Sequence, residues 1–332
     1  MNGTMGAEVA STLDRLLADH ASTDRLLDAA ASEAPDSTLL AALDEVGLTE
    51  LAVPEKMGGL GLDLDQLCLV GWVGGRRLMP TLSRLKMTLV GPLVTNGPSG
   101  EPPAGARWGC GFPAIGSAPA DGGPAEVWIE EGASVALVVG ERSSRVVDLG
   151  RADSVVEPEP GVDPGQGRSR LSFDPDASTV LAGADHARIV DRSRVLVLAE
   201  LSGVADRVTE VSVDYARQRS QFGRPLAAFQ AIQHKLADMR AGCELIRSAV
   251  SRLAWLEEPR PELTASLAAA TVSVARQVAE DAIQVHGGMG FAWEYGIHLY
   301  YRRCLALQQQ LGGAESLRRF VGHSIVARRK TQ

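Results

Sequence analysis

Between residues 236 and 253 the apolar positions Leu236, Met239, Cys243, Ile246, Val250 and Leu253 are spaced by three, four, three, four and three residues. That spacing returns each side chain to one side of a helix and draws a continuous apolar stripe, the pattern of a helix packed in a bundle. The stretch RVLVLAELSGVADRVTEVSVDYARQR does the same through Val197, Leu201, Val204, Val208 and Val211. A third helix is expected over about 264–286, carried by Leu267, Thr271, Val274, Val278 and Val285, and a fourth over about 314–329. Residues 188–332 are therefore expected to form a C-terminal four-helix bundle.

The rest of the 332-residue chain divides in two. Residues 1–95 hold helical patterns in STLDRLLADH, DSTLLAALDEVG and LDLDQLCLVGWVGGRRL. In the second of these, Asp36 or Ser37 is a suitable N-cap and Gly47 a suitable stop. VPEKMGGLGLD, with one proline and three glycines, is expected to be a loop. Residues 96–187 change character. Short β-prone runs (EVWIEE, ASVALVVGE, SRVVDLG, SRLSFD) alternate with turn clusters such as PADGGP and EPGVDPGQG, which predicts a small middle β domain. The order helices, strands, helices has no βαβ alternation, so the fold class is α+β.

A net charge of −8 argues against a general nucleic-acid binder, which usually carries a basic stripe. The four cysteines form no CxxC pair, so neither a zinc site nor a disulfide framework is expected, and a reducing cytoplasm fits. The N-terminal segment has no basic and apolar leader. The longest apolar run, LCLVGWVGG, is about half of what crosses a bilayer. A cytoplasmic protein without a membrane partner is the expectation.

Several candidate motifs fail. Gly109, Gly111 and Ala114 spell GxGxxA, but PPAGARW before them is not a strand and Pro113 is not a helix start. Glu294 and His298 are an isolated i,i+4 pair, and no metal site is expected. Two stretches remain. In YARQRSQFGRPLAAFQAIQHKLADM, Arg217, Arg219 and Arg224 flank a Phe222-Gly223 turn before a new helix. Guanidiniums beside a helix N-terminus suit an anion, although arginines near a helix C-terminus also simply complement its dipole. In QVHGGMGF, Gly287 could end a helix in the left-handed conformation. Three glycines within four residues could instead let a ligand approach the backbone. From the residues alone both alternatives stand in each stretch.

Together the two stretches resemble the acyl-CoA dehydrogenase family. YARQRSQFGRPLAAFQAIQHKLADM is similar to its YAxxRxxFGxx(I/L)xxFQx(I/V)Q segment, QVHGGMGFAWEYGIHLYYRR to QxxGGxGxxxEYxxxxxxRD, and VPEKMGGLG to its VPEEYGGLG loop. The resemblance spans nearly the whole chain and implies oxidation of the Cα–Cβ bond of an acyl-CoA thioester. A glutamate takes the α-proton and FAD accepts the β-hydride. It also implies an FAD site shared across a dimer interface. Carried over, Arg219, Gln221, Phe222 and Gln230 would meet a neighbour's FAD pyrophosphate and adenosine, and Gln284, Gly287 and Gly288 would hold its ADP end. Asp191 and Arg194 match positions that touch the thioester arm of the substrate.

The chain departs from that pattern where the chemistry should be. The family's usual base falls on Leu311, and the alternative base position, at the start of the long helix, falls on Ser193. Neither can remove a proton as a carboxylate does. The threonine that follows the base is Gly313. FPAIGSAPA at 112–120 is a poor counterpart of the flavin loop, and VWIEE at 127–131 of the Trp-Ile-Thr strand. The resemblance therefore narrows to the base-less subunit of actinobacterial α2β2 acyl-CoA dehydrogenases, many linked to sterol side-chain breakdown. The partner expected is a second dehydrogenase-like subunit that carries the base. Two other readings are a homotetramer with a displaced base, Glu200 or Glu315, and a scaffold without a part in FAD binding.

Overall fold

The computed structural model describes residues 2–95, 107–112, 124–140, 143–181, 186–256, 258 and 260–330. Six helices open the chain: α1 Asn2–His20, α2 Thr23–Ser32, α3 Ser37–Glu45, α4 Leu64–Arg77, α5 Thr81–Leu85 and α6 Gly91–Thr95. Asp36 is the N-cap of α3, its carboxylate accepting from the backbone of Thr38 and Leu39, and Gly47 follows the helix at φ 73°. Between α5 and α6 lies a π-turn, Lys86–Val90, with all five residues buried. The helix α2 was not visible as a separate pattern, because TDRLLDAAAS buries only Leu27 and Ala30.

Seven strands follow: β1 Trp108–Gly111, β2 Ala125–Trp128, β3 Val135–Val139, β4 Ser144–Asp148, β5 Val155–Pro158, β6 Arg168–Ser172 and β7 Thr179–Leu181. They form one sheet in the order β5-β6-β2-β1-β3-β4-β7, antiparallel except for the β1–β3 pair. The four runs expected as strands are β2, β3, β4 and β6. β1, β5 and β7 were missed. β5 is exposed along its length at the sheet edge, and β1 is glycine-rich, so neither shows alternation. The two-residue period of β3 sends Val135, Leu137 and Val139 to the helices, and Ala136 and Val138 to a smaller cluster with Val127, Val147 and Leu171.

The C-terminal part holds α7 His186–Gln218, a two-stranded hairpin (β8 Ser220–Gln221, β9 Arg224–Pro225), α8 Gln230–Ala254, α9 Pro261–His286, α10 Ile297–Gln310 and α11 Gly313–Lys330. The four expected helices are present. The fifth, α10, went unrecognised because its buried residues include His298, Arg303 and Gln310 beside Leu299, Cys304 and Leu307, so no apolar stripe runs along it. Leu201, Val204, Val208, Met239, Cys243, Ile246, Val250 and Leu253 are all buried, as their spacing requires.

With 33 residues, α7 is about 50 Å long and forms the spine. It packs on α8 and α9 and, on its other side, on α4. The α4–α7 crossing explains the glycines of LVGWVGG. A Cβ at Gly75 would strike the carbonyl of Glu200, and one at Gly203 the carbonyl of Trp72, so the two helices meet backbone to backbone. That apolar run is thus a packed core helix, and no described helix is long and apolar enough to cross a membrane. The four cysteines are buried and free.

Candidate functional site

The helices α7 and α9 end at the same end of the bundle, and their last turns are joined by aromatic rings. Tyr215 of α7 stacks on His286, the last residue of α9, with centroids 4.4 Å apart, and Tyr295 closes on both. The Tyr215 hydroxyl donates to the His286 carbonyl at 3.4 Å. This contact, between residues 71 positions apart, brings the two singled-out stretches to one surface.

On the α7 side, Arg219 follows the helix and the chain folds into the β8–β9 hairpin. The turn residues Phe222 and Gly223 both have positive φ, 53° and 78°, the combination of a tight two-residue hairpin turn. Glycine takes such a φ freely and phenylalanine does so at a cost. Phe222 is nevertheless 92% exposed. Arg219, Gln221 and Gln230 are exposed beside it. The Arg224 guanidinium lies 4.0 Å above the Phe229 ring, and Phe222 meets that ring edge-on.

On the α9 side, Gln284, Gly287 and Gly288 are exposed. The three glycines differ in what holds them. A Cβ at Gly290 would come within 2.7 Å of the Ile283 carbonyl, which is ordinary internal packing. Gly287 ends the helix at φ 58° and ψ −133°. The left-handed cap, one of the two open alternatives, does not describe it, because that ψ lies well outside the left-handed region and in one that only glycine visits readily. Gly288 has neither reason: its φ is not positive and a Cβ there would meet nothing within 4 Å, as at Gly287. Nothing among the described residues accounts for a glycine at 288.

The expected base positions lie elsewhere. Leu311 caps α10 and is fully buried. Its neighbour Gln310 accepts from the Arg84 guanidinium at 2.5 Å. Ser193 is also fully buried, and its hydroxyl lies 2.8 Å from that of Thr88, which the π-turn carries. Asp191 accepts from the Thr264 hydroxyl of α9 at 3.1 Å and lines a cavity of about 290 Å³ with Arg188, Arg192 and Trp255. Arg194 is buried in the same turns of α7. Glu315 stands in solvent, 3.8 Å from Arg319. In FPAIGSAPA, Phe112 packs under the Arg84 guanidinium at 5.8 Å, and residues 113–120 lie outside the described part of the chain. Gly109 and Gly111 sit inside β1, which suits a strand and not a phosphate loop.

One constellation escaped sequence reasoning. Glu200 is wholly buried between two arginines. Arg84 donates to one carboxylate oxygen at 2.8 Å and Arg303 to the other at 2.7 Å. Arg303 also donates to Asp163 at 2.5 Å and to the Met79 carbonyl at 2.7 Å. Two guanidiniums thus meet two carboxylates, joining α5, α7, α10 and the β5–β6 connection. Burial works against the charge of Arg303, but Asp163 and Glu200 hold it above its ordinary value. Burial pulls Arg84 below its ordinary value, and Glu200 opposes that pull. A signal existed: Arg303 stands where the QxxGG…EY…RD pattern has an aspartate.

Burial pushes the Cys68 and Cys304 thiols up to about 12, so neither is a nucleophile. No group of metal-binding side chains occurs among the described residues.

The sequence description "Acyl-CoA dehydrogenase, C-terminal domain" matches residues 186–326, from the first residue of α7 into α11. Acyl-CoA dehydrogenase IpdE2 of Mycobacterium tuberculosis is 30% identical over 303 residues, covering 90% of this chain and 91% of that one. A variant of the Tcur3481–Tcur3483 steroid ACAD superposes with a TM-score of 0.79 at 25% identity over 100% of both chains. The ChsE4–ChsE5 complex from Mycobacterium tuberculosis shares the fold, with a TM-score of 0.73 at 22% identity over 97% of each chain.

Proposed function

The chain belongs to the acyl-CoA dehydrogenase family, and on that premise we propose that it is the base-less subunit of an FAD-dependent α2β2 acyl-CoA dehydrogenase. It lends the ADP-binding half of a cofactor site to a partner chain that carries the catalytic glutamate. The observation that carries this reading is a contrast. The surface at Gly287 and Gly288 is bare, whereas the position of the base is Leu311, sealed in the core.

The residues present fit the ADP end of FAD. The Arg219 guanidinium offers paired donors to a phosphate. The exposed backbone at Gly287 and Gly288 admits a ligand that any side chain there would hold off. Gln221, Gln230 and Gln284 add amide donors and acceptors, and Phe222 an apolar face. Bound FAD supplies a hydride acceptor for the β-carbon of the acyl thioester. The α-proton needs a carboxylate base, and neither position at which the resemblance would put one, Leu311 or Ser193, is a carboxylate. The substrate assigned is an acyl-CoA of the sterol side-chain kind, on the strength of the steroid ACAD resemblance. In that arrangement Asp191 and Arg194 would belong to a vestigial thioester pocket.

The displaced-base reading finds no supporting geometry. Both oxygens of the Glu200 carboxylate are taken by guanidiniums in the core, and Glu315 faces solvent. Neither has the burial and access that tune a general base.

The test is to purify the chain alone and with a longer dehydrogenase-like partner, and to measure flavin by absorbance. Two FAD per four subunits in the mixed complex, and none in the chain alone, is the expected result. An FAD-replete, active homo-oligomer of this chain would overturn the reading. Arg219→Ala should lower the FAD content of the complex, and unchanged content would favour a scaffold.

A further inference from the structure

His286 is the residue on which the whole glycine edge hangs. It is 3% exposed. Its Nδ1 lies 2.8 Å from the Ala282 carbonyl, which fixes Nδ1 as the protonated nitrogen, because a carbonyl only accepts. Its Nε2 is buried without a hydrogen-bond partner. The ring is stacked on Tyr215, and its own carbonyl receives the Tyr215 hydroxyl. The next residue is Gly287, in its glycine-only conformation. Ring, carbonyl and turn therefore form one unit, with Arg219 one turn beyond Tyr215.

We propose that His286 is a positioning residue for the half-site, holding Gly287 and Gly288 in register only while its ring is neutral, so that FAD retention and proton uptake exclude each other. This deepens the proposed function and rests on it. A proton added at Nε2 creates a second N–H donor in a place with no acceptor. The groups facing the ring are the Tyr215 and Tyr295 phenols and the Ala282 carbonyl. Desolvation opposes the charged ring, the Ala282 carbonyl partly offsets it, and no charged side chain contributes. The stack offers no carboxylate to receive the charge. Relief requires the ring to leave Tyr215, and the Gly287 turn goes with it. A cofactor lying on that turn holds it shut, so by linkage its affinity falls as pH falls below the ordinary imidazole range.

The experiment uses the mixed complex and reads released flavin by fluorescence between pH 8 and pH 5, with no substrate present. The wild type should release FAD increasingly at the acid end of that range, once pH falls below the lowered value of the buried ring, by up to about tenfold in dissociation constant per pH unit. His286→Phe keeps a stacking ring and removes the titrating nitrogen, and should flatten that acid branch. His286→Ala removes the stack and should weaken FAD retention at every pH. Far-UV circular dichroism of each complex at pH 7.5 controls for folding, and Tyr215→Leu, which breaks the stack from the other side, should behave as His286→Ala does. An acid branch unchanged in His286→Phe overturns the inference while leaving the half-site intact. FAD retention insensitive to both His286→Ala and Arg219→Ala would instead overturn the underlying reading.

Discussion

Nε of Arg84 donates to Oε2 of Glu200 across 2.8 Å at a point where neither side chain reaches solvent. Around that bond, helices from both ends of the chain and the β5–β6 connection are tied together. The junction lies next to Gln310 and Leu311. The charge pairs leave the fold neutral there, and they fill the space with guanidinium and amide groups.

Glu200→Gln should be costly to the fold. It leaves Arg84 and Arg303 facing each other with only Asp163 to balance them, and losing one member of a buried ion pair destabilises by about 3–5 kcal/mol. Chemical denaturation of the variant against the wild type measures this. A change below about 1 kcal/mol, with loss of turnover in the complex, would instead mark Glu200 as a base.

Gly288→Ala and Gly290→Ala should separate binding from folding. A Cβ at Gly288 meets nothing, so the chain should keep its stability within about 0.5 kcal/mol. The complex should nonetheless retain less FAD. Gly290→Ala drives a methyl group into the Ile283 carbonyl and should lower the thermal midpoint of the chain itself. Thermal melts and flavin absorbance on both variants decide it.

Phe222→Gly should move stability and assembly in opposite directions. The left-handed φ of Phe222 carries a strain of about 1–2 kcal/mol that glycine does not have, part of it offset by glycine's greater freedom in the unfolded chain. The isolated chain should therefore hold or gain stability. Its complex with the partner should weaken, because a phenylalanine held in strain yet 92% exposed, with only an edge-on contact to Phe229, fits a contact made outside this chain. Sedimentation of the mixed complex at falling concentration tests the second half.

Stability should fall on the acid side. Burial holds the rings of His286 and His298 below their ordinary value of 6.5, and the nearby Arg302 lowers His298 further. Above pH 6.5 both the folded and the unfolded chain keep these rings neutral, and the shift contributes nothing. Below it, the unfolded chain takes up protons that the folded chain resists, so stability declines until pH reaches the folded-state values. His298→Phe, which keeps a ring against Trp293, should reduce the loss between pH 7 and pH 5 in thermal melts.

Much of this protein is legible without coordinates because helices repeat. A stripe such as Leu236 to Leu253 must be buried on one face whatever it packs against, so α7, α8, α9 and α11 follow from periodicity alone. The RxxFG and QxxGG stretches are equally local, since arginine geometry and glycine freedom are properties of the residue. Short edge strands such as β5, and the mixed face of α10, carry no period to read. The sequence by itself thus determined the bundle, the order of layers, that positions 311 and 193 carry no carboxylate, and which two segments could hold a cofactor. Only the tertiary structure decided that these segments share one surface through Tyr215 and His286. It alone separated Gly288 from Gly290 and put Glu200 between Arg84 and Arg303. The reason is that a charge or a glycine looks the same in a sequence whether it faces water, a ligand or another backbone. Its surroundings come from residues as much as 226 positions away, as Gln310 is from Arg84.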